Sequence, residues 1–164
     1  MRIAPSLQRV VLALSVTCVA CTAAHAQSSA DFFVTGTILP GVCRLAVADV
    51  DLGTYQATAF TGAFMTPLKP VDVLVSQCDP LVTRVALRFD GSADTNDATL
   101  FEGVRGIGIE LQDATSGTRI APGDTVLRST AAGTHAFQIR FAQSAPGVAA
   151  GRVTRPITVT MTYN

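Results

Sequence analysis

Residues 151–164 read GRVTRPITVTMTYN. Val153, Ile157, Val159, Met161 and Tyr163 occupy odd positions, and Arg152, Thr154, Pro156, Thr158, Thr160 and Thr162 occupy even ones. Successive side chains on a strand point to opposite faces, so this period of two predicts a half-buried β-strand with one aliphatic and aromatic face and one hydroxylated or basic face. A strand at the end of a chain has unpaired backbone donors and acceptors along its far edge. With no later residue to cover that edge, the expectation is that a strand from elsewhere pairs with it.

Working back from this segment, the same alternation recurs. Phe137, Ile139 and Phe141 follow Gly133; Ile107, Ile109 and Leu111 follow Gly106; Val85, Leu87 and Phe89 precede Asp90-Gly91; and Val71, Val73 and Val75 run toward Cys78. Asp79-Pro80, Thr115-Ser116-Gly117, Pro122-Gly123-Asp124 and Pro146-Gly147 are turn signals between them. Residues 54–67 are loop-like, and no stretch sustains a helical period. Short strands separated by turns predict an all-β sandwich of immunoglobulin-like character. Near the N-terminus a shorter alternation places Ala30, Phe32 and Val34 on one face and Asp31, Phe33 and Thr35 on the other.

The 164 residues suit one domain. Residues 1–26 read as a cleaved secretory signal: Arg2 and Arg9 form its basic part, residues 10–20 its apolar part, and Ala24-His25-Ala26 its cleavage site. The apolar run is too short to span a bilayer. Cys18 and Cys21 lie inside this leader, where a C-x-x-C carries no redox or metal reading; lipid modification of Cys21 is the rival to its simple removal. Cys43 and Cys78 remain, and two cysteines in an exported domain are expected to form one disulfide.

Charge and motif exclude several classes of function. Lys plus Arg and Asp plus Glu number 12 each, so no basic surface invites nucleic acid. His135 is the one histidine after the leader and is expected on the outward face of a strand, which argues against a hydrolytic triad or histidine metal cluster. Asp94, Asn96 and Asp97 sit in a polar loop without the downstream glutamate of a calcium loop and are expected to form a turn. Asp49 and Asp51 lack a third ligand, and Gly106-Ile107-Gly108 lies in a strand pattern with no helix behind it. No cofactor, metal or catalytic residue is expected, and the chain is read as a non-enzyme.

Gly151, the penultimate Tyr163 and the apolar positions between them resemble the C-terminal signature of chaperone-usher pilins. Gly36-Thr37-Ile38 with Cys43 shortly after resembles the junction between a pilin's N-terminal extension and its first core strand. Val50-Asp51-Leu52-Gly53, within residues 47–55, is similar to the short second pilin strand, and Phe89-Asp90-Gly91 with the acidic loop after it also looks like the family. The resemblance implies an incomplete immunoglobulin-like sandwich that lacks its seventh strand and is completed by a donor strand from another subunit.

It further implies a division into residues 27–35 as donor extension and 36–164 as pilin domain. Ala30, Phe32 and Val34 would be the donors. Gly151, Val153, Ile157, Val159, Met161, Tyr163 and Asn164 would form the strand that binds a periplasmic chaperone and then a neighbouring subunit. The implied partners are that chaperone, an outer-membrane usher and other pilin subunits, with a host-surface receptor left open; the implied destination is a cell-surface fimbrium reached through the periplasm. A minor tip or adaptor subunit, or a self-contained secreted binding module, are the alternatives.

Overall fold

In a computed structural model, residues 33–37 and 42–163 are described. The expected leader with Cys18 and Cys21, the expected donors Ala30 and Phe32, the expected turn at Pro40-Gly41 and Asn164 lie outside the described residues. Residues 33–37 have no regular secondary structure.

From residue 42 onward the chain forms two antiparallel sheets. The strands are β1 (Arg44–Val47), β2 (Lys69–Ser76), β3 (Val85–Asp90), β4 (Phe101–Val104), β5 (Ile107–Asp113), β6 (Arg119–Ile120), β7 (Thr125–Arg128), β8 (Gly133–Gln143) and β9 (Thr158–Tyr163). A single 3-10 turn, Ala57–Ala59, is the only helical element among the described residues. The larger sheet has the order β1-β2-β8-β5-β4, with β6 also on β5; the smaller is β7-β3-β9.

The expected alternation becomes burial. Val71, Val73 and Val75 on β2, Val85, Leu87 and Phe89 on β3 and Phe137 and Ile139 on β8 are buried in one core between the sheets. Phe89 of one sheet meets Phe137 of the other edge to face, with ring centroids 4.8 Å apart, a favoured arrangement for aromatic quadrupoles. This pair seats β3 over β8. Arg128 of β7 reaches Asp113 at the end of β5, which sets β7 over β5.

Departures from the expected pattern have local causes. On β5 the even positions Gly108 and Glu110 are buried as well as the odd ones. A Cβ at Gly108 would come within 2.7 Å of Leu100, so the backbone approaches closely there. Glu110 is covered because Arg140, directly opposite on β8, donates to both its carboxylate oxygens at 3.1 Å. Residues 48–56 are not a strand: the Asp51 Oδ1 accepts the Gly53 N–H at 2.8 Å, and Gly53 takes φ 92°. An aspartate that bonds its own backbone two residues on makes a turn instead of joining a ladder.

His135 is a correction. It is buried, not outward, because on β8 it shares the odd parity of Phe137 and Ile139 and is paired with Val73. Its Nε2 lies 3.3 Å from the Ala131 carbonyl, giving the ring a polar partner inside.

The acidic loop forms turns as expected. Asp94 accepts the N–H groups of Asn96 and Asp97 at 2.9 and 3.1 Å. Asp97 accepts from the Thr99 hydroxyl at 2.7 Å and its N–H at 2.9 Å. The hydroxyl bond, then the N–H, with Arg119 nearby, holds the Asp97 carboxyl below its ordinary value against a smaller effect of burial.

Candidate functional site

The terminal segment is not one continuous strand. Residues 151–157 are irregular, and pairing begins at Thr158, just after the exposed Pro156 and the half-buried Ile157. Proline has no N–H to give a ladder, and the residue before it is pushed from helical to extended backbone, so the strand starts beyond it. Upstream, Arg155 ties the segment to β4 through Glu102 Oε1 at 3.0 Å and the Gly103 carbonyl at 3.4 Å. Gly151 lies against Val104, 3.2 Å from where a Cβ would stand.

From Thr158 the register with β3 is unbroken: Val159 faces Phe89, Met161 faces Leu87 and Tyr163 faces Val85. These three side chains, with Val153 and Ile157 before them, pack against the core but remain partly exposed. Thr158, Thr160 and Thr162 point outward and are exposed. Among the described residues β9 pairs with β3 alone, so its other edge carries free N–H and C=O groups. Val153, Ile157, Val159, Met161 and Tyr163 thus all pack on the one core, the last three as a row on β9, and Gly151 sits against Val104 of β4.

A second edge open among the described residues belongs to β1, which pairs there only with β2. Its Leu45, and Val50 beyond it, pack partly buried on the same core. The Cys43–Cys78 disulfide pins this edge to the end of β2, and the Asp79 N–H donates to the Val42 carbonyl beside it at 3.0 Å. Sequence reasoning located the β9 row and the disulfide but not Leu45; the four-residue run RLAV at Arg44–Val47 is too short to show its period.

Of the expected donors, Val34 is described and is 83% exposed, beside Phe33 at 94%. The nearest ion pair on the β3 and β9 sheet, Arg88 with Asp90 at 2.8 Å, is outward and exposed. The β9 part of the site is therefore an uncharged apolar row beside a backbone edge that no strand pairs among the described residues. Such an arrangement binds an extended apolar segment through backbone hydrogen bonds and alternate side-chain contacts.

Residues 33–164 match the family model described as Fimbrial protein. The chain belongs to the fimbrial protein family. This fimbrial chain is 31% identical over 149 residues to Long polar fimbria protein A of Salmonella typhimurium, covering 76% of this chain and 84% of that protein. It is 32% identical over 108 residues to the S-fimbrial protein subunit SfaG of Escherichia coli, covering 60% of this chain and 59% of SfaG. The P pilus rod subunit PapA has the same fold, with a TM-score of 0.58 at 16% identity over 73% of this chain and 99% of that one. The fold is the incomplete immunoglobulin-like sandwich that the resemblance to chaperone-usher pilins implied, its all-β character being what the alternating strands predicted.

Proposed function

We propose that this chain is a structural, non-catalytic subunit of a chaperone-usher fimbria that polymerises by donor-strand exchange and supports cell adhesion. The observation that carries the proposal is the β9 row: Val159, Met161 and Tyr163 face a core they only partly enter, and among the described residues no strand pairs with the edge beside them. Each large apolar side chain inserted against such a row contributes about 1.5 to 3 kcal/mol. Residues 27–35 of another copy supply those side chains, with Ala30, Phe32 and Val34 on the inserted face. A periplasmic chaperone holds the edge until an outer-membrane usher presents the next subunit, and residues 36–164 are the domain that receives the strand at the cell surface.

The test is a thermal melt of the chain lacking residues 27–34, with and without a synthetic peptide of residues 27–35. The peptide raises the melting temperature, and a peptide carrying Phe32→Asp does not, because an unpaired carboxylate resists burial in an apolar site. A truncated chain that melts identically with and without the peptide rules the proposal out.

A further inference from the structure

Two strands flank β3, and each leaves an outer edge unpaired by any other strand among the described residues: β9 on one side and β7 on the other. Their inward rows differ in chemistry. Register places Arg128 opposite Val85 and Val126 opposite Leu87, so Arg128 projects from β7 toward the space between the sheets. There its guanidinium meets the buried carboxylate of Asp113 on the opposite sheet and lies 4.9 Å from the centre of the Phe137 ring. Asp113 is itself fixed, since it accepts the N–H groups of Thr115 at 2.8 Å and Ser116 at 3.0 Å. On β9 the equivalent row is Tyr163, Met161 and Val159, without a charge.

An incoming strand at either edge would lay its inward side chains beside the existing row. At β9 apolar side chains meet apolar ones. At β7 they meet a cation that bridges the two sheets and is still partly in water, and seating apolar side chains against it strips that water from a charged guanidinium with no new polar partner, which is unfavourable. Inward-pointing charges are one means by which proteins protect a sheet edge.

We propose that the Arg128–Asp113 bridge is a specificity device that closes the β7 edge, so that an extended apolar segment of a second copy adds to β9 and not to β7. This rests on the strand-capture reading above. It explains how a three-stranded sheet with two open edges acquires one direction of growth.

The probe is a synthetic peptide of residues 27–35 with a benzophenone amino acid at position 33, added in excess to the dilute full chain and photo-crosslinked. Peptide mapping and intact mass then read the site and the stoichiometry. The expected result is one peptide per wild-type chain, attached near β9. In the double variant Arg128→Leu with Asp113→Leu, label also appears near β7 and stoichiometry rises to two. A folded double variant that still takes one peptide at β9 overturns the proposal, as does β7 labelling of the wild type.

Should the double variant fail to fold, Arg128→Met alone removes the cation and leaves Asp113 its backbone donors, and it is read in the same way. The converse variant, Met161→Arg, places an inward cation on β9 and is expected to reduce its labelling at least tenfold; unchanged labelling overturns the proposal. Absence of β9 labelling in the wild type sinks the strand-capture reading itself and the proposal with it, an outcome distinct from labelling at both edges, which removes the gate alone.

Discussion

β3 and β9 lie side by side with the same alternation and face the same core, yet they are buried to different depths. Val85, Leu87 and Phe89 are 2%, 0% and 1% exposed, while Tyr163, Met161 and Val159 directly opposite remain partly in water. Composition does not explain the difference, since both rows are apolar. Position does: β3 has a strand on each side and the Phe137 ring above it, whereas among the described residues β9 has a strand on one side only. A side chain sheds its water only when neighbours surround it, so the outer flank of β9 is where this sandwich has burial still to gain.

The comparison is broken most severely at β3. Phe89→Ala removes a side chain enclosed on all sides and is expected to destabilise by about 3 to 5 kcal/mol, the range for aromatic truncation in a packed core. Val159→Ala, its partner across the ladder, is expected to cost roughly 1 kcal/mol in the absence of an added strand. Urea midpoints of the two variants measure the gap, and equal costs would mean that β9 is already enclosed.

The two open edges on the apolar side are held differently, and the disulfide sharpens that contrast. Cys43 and Cys78 are 35 residues apart, and closing a loop of this size restricts the unfolded chain by about 3 to 4 kcal/mol in the loop-entropy description. Replacing both by serine is expected to lower stability by that amount and to expose amides of β1 to hydrogen exchange before those of β2. Exchange that spreads evenly over both strands would show that the disulfide does not hold the β1 edge.

On the β7 side the expected effect is smaller and depends on pH. Burial raises the Asp113 carboxyl, but the Ser116 N–H, the Arg128 side chain and the Thr115 N–H together outweigh it and hold the group below its ordinary value. A carboxyl depressed in the folded state contributes stability above its unfolded value, near pH 4, and loses it as pH falls through the folded value. Asp113→Asn is expected to cost roughly 1 to 3 kcal/mol at neutral pH and to flatten the acid limb of a stability profile. An acid limb identical to wild type would assign that limb to other carboxylates.

Legibility in the sequence followed strand length and side-chain type. β2, β3, β5 and β8 repeat their period often enough to be read directly, and each lies where alternation placed it. β6 has two residues and β1, β4 and β7 four, too few to display a period. Arg128 was illegible for a further reason: an arginine in a short polar stretch reads as solvent-facing, and only the register with Val85 turns it inward. Val50-Asp51-Leu52-Gly53, within residues 47–55, resembled a strand because Val50 and Leu52 do pack on the core, but the Asp51 turn breaks the ladder there. The alternation from Val153 to Tyr163 identified the side chains that pack on the core, but only Thr158–Tyr163 is a strand, because Pro156 interrupts the ladder, and Leu45 at the open edge of β1 required the fold.

The smallest effect expected of a single change is at Met161, and its value lies in how it depends on company. In the chain without an added strand Met161 is partly exposed opposite Leu87, so Met161→Ala removes only part of its burial and is expected to cost about 1 kcal/mol or less. If a strand from another copy covers the row, the same side chain becomes enclosed and the cost approaches the lower end of the enclosed-core range, about 2 kcal/mol. The measurement is the stability difference between wild type and Met161→Ala, taken once with the peptide of residues 27–35 bound and once without. A difference that grows on binding locates the inserted strand beside β9, because a substitution senses a new neighbour only where that neighbour touches it. A difference that stays constant, with the peptide demonstrably bound, places the strand at β1 or β7 and moves the acceptor edge with it.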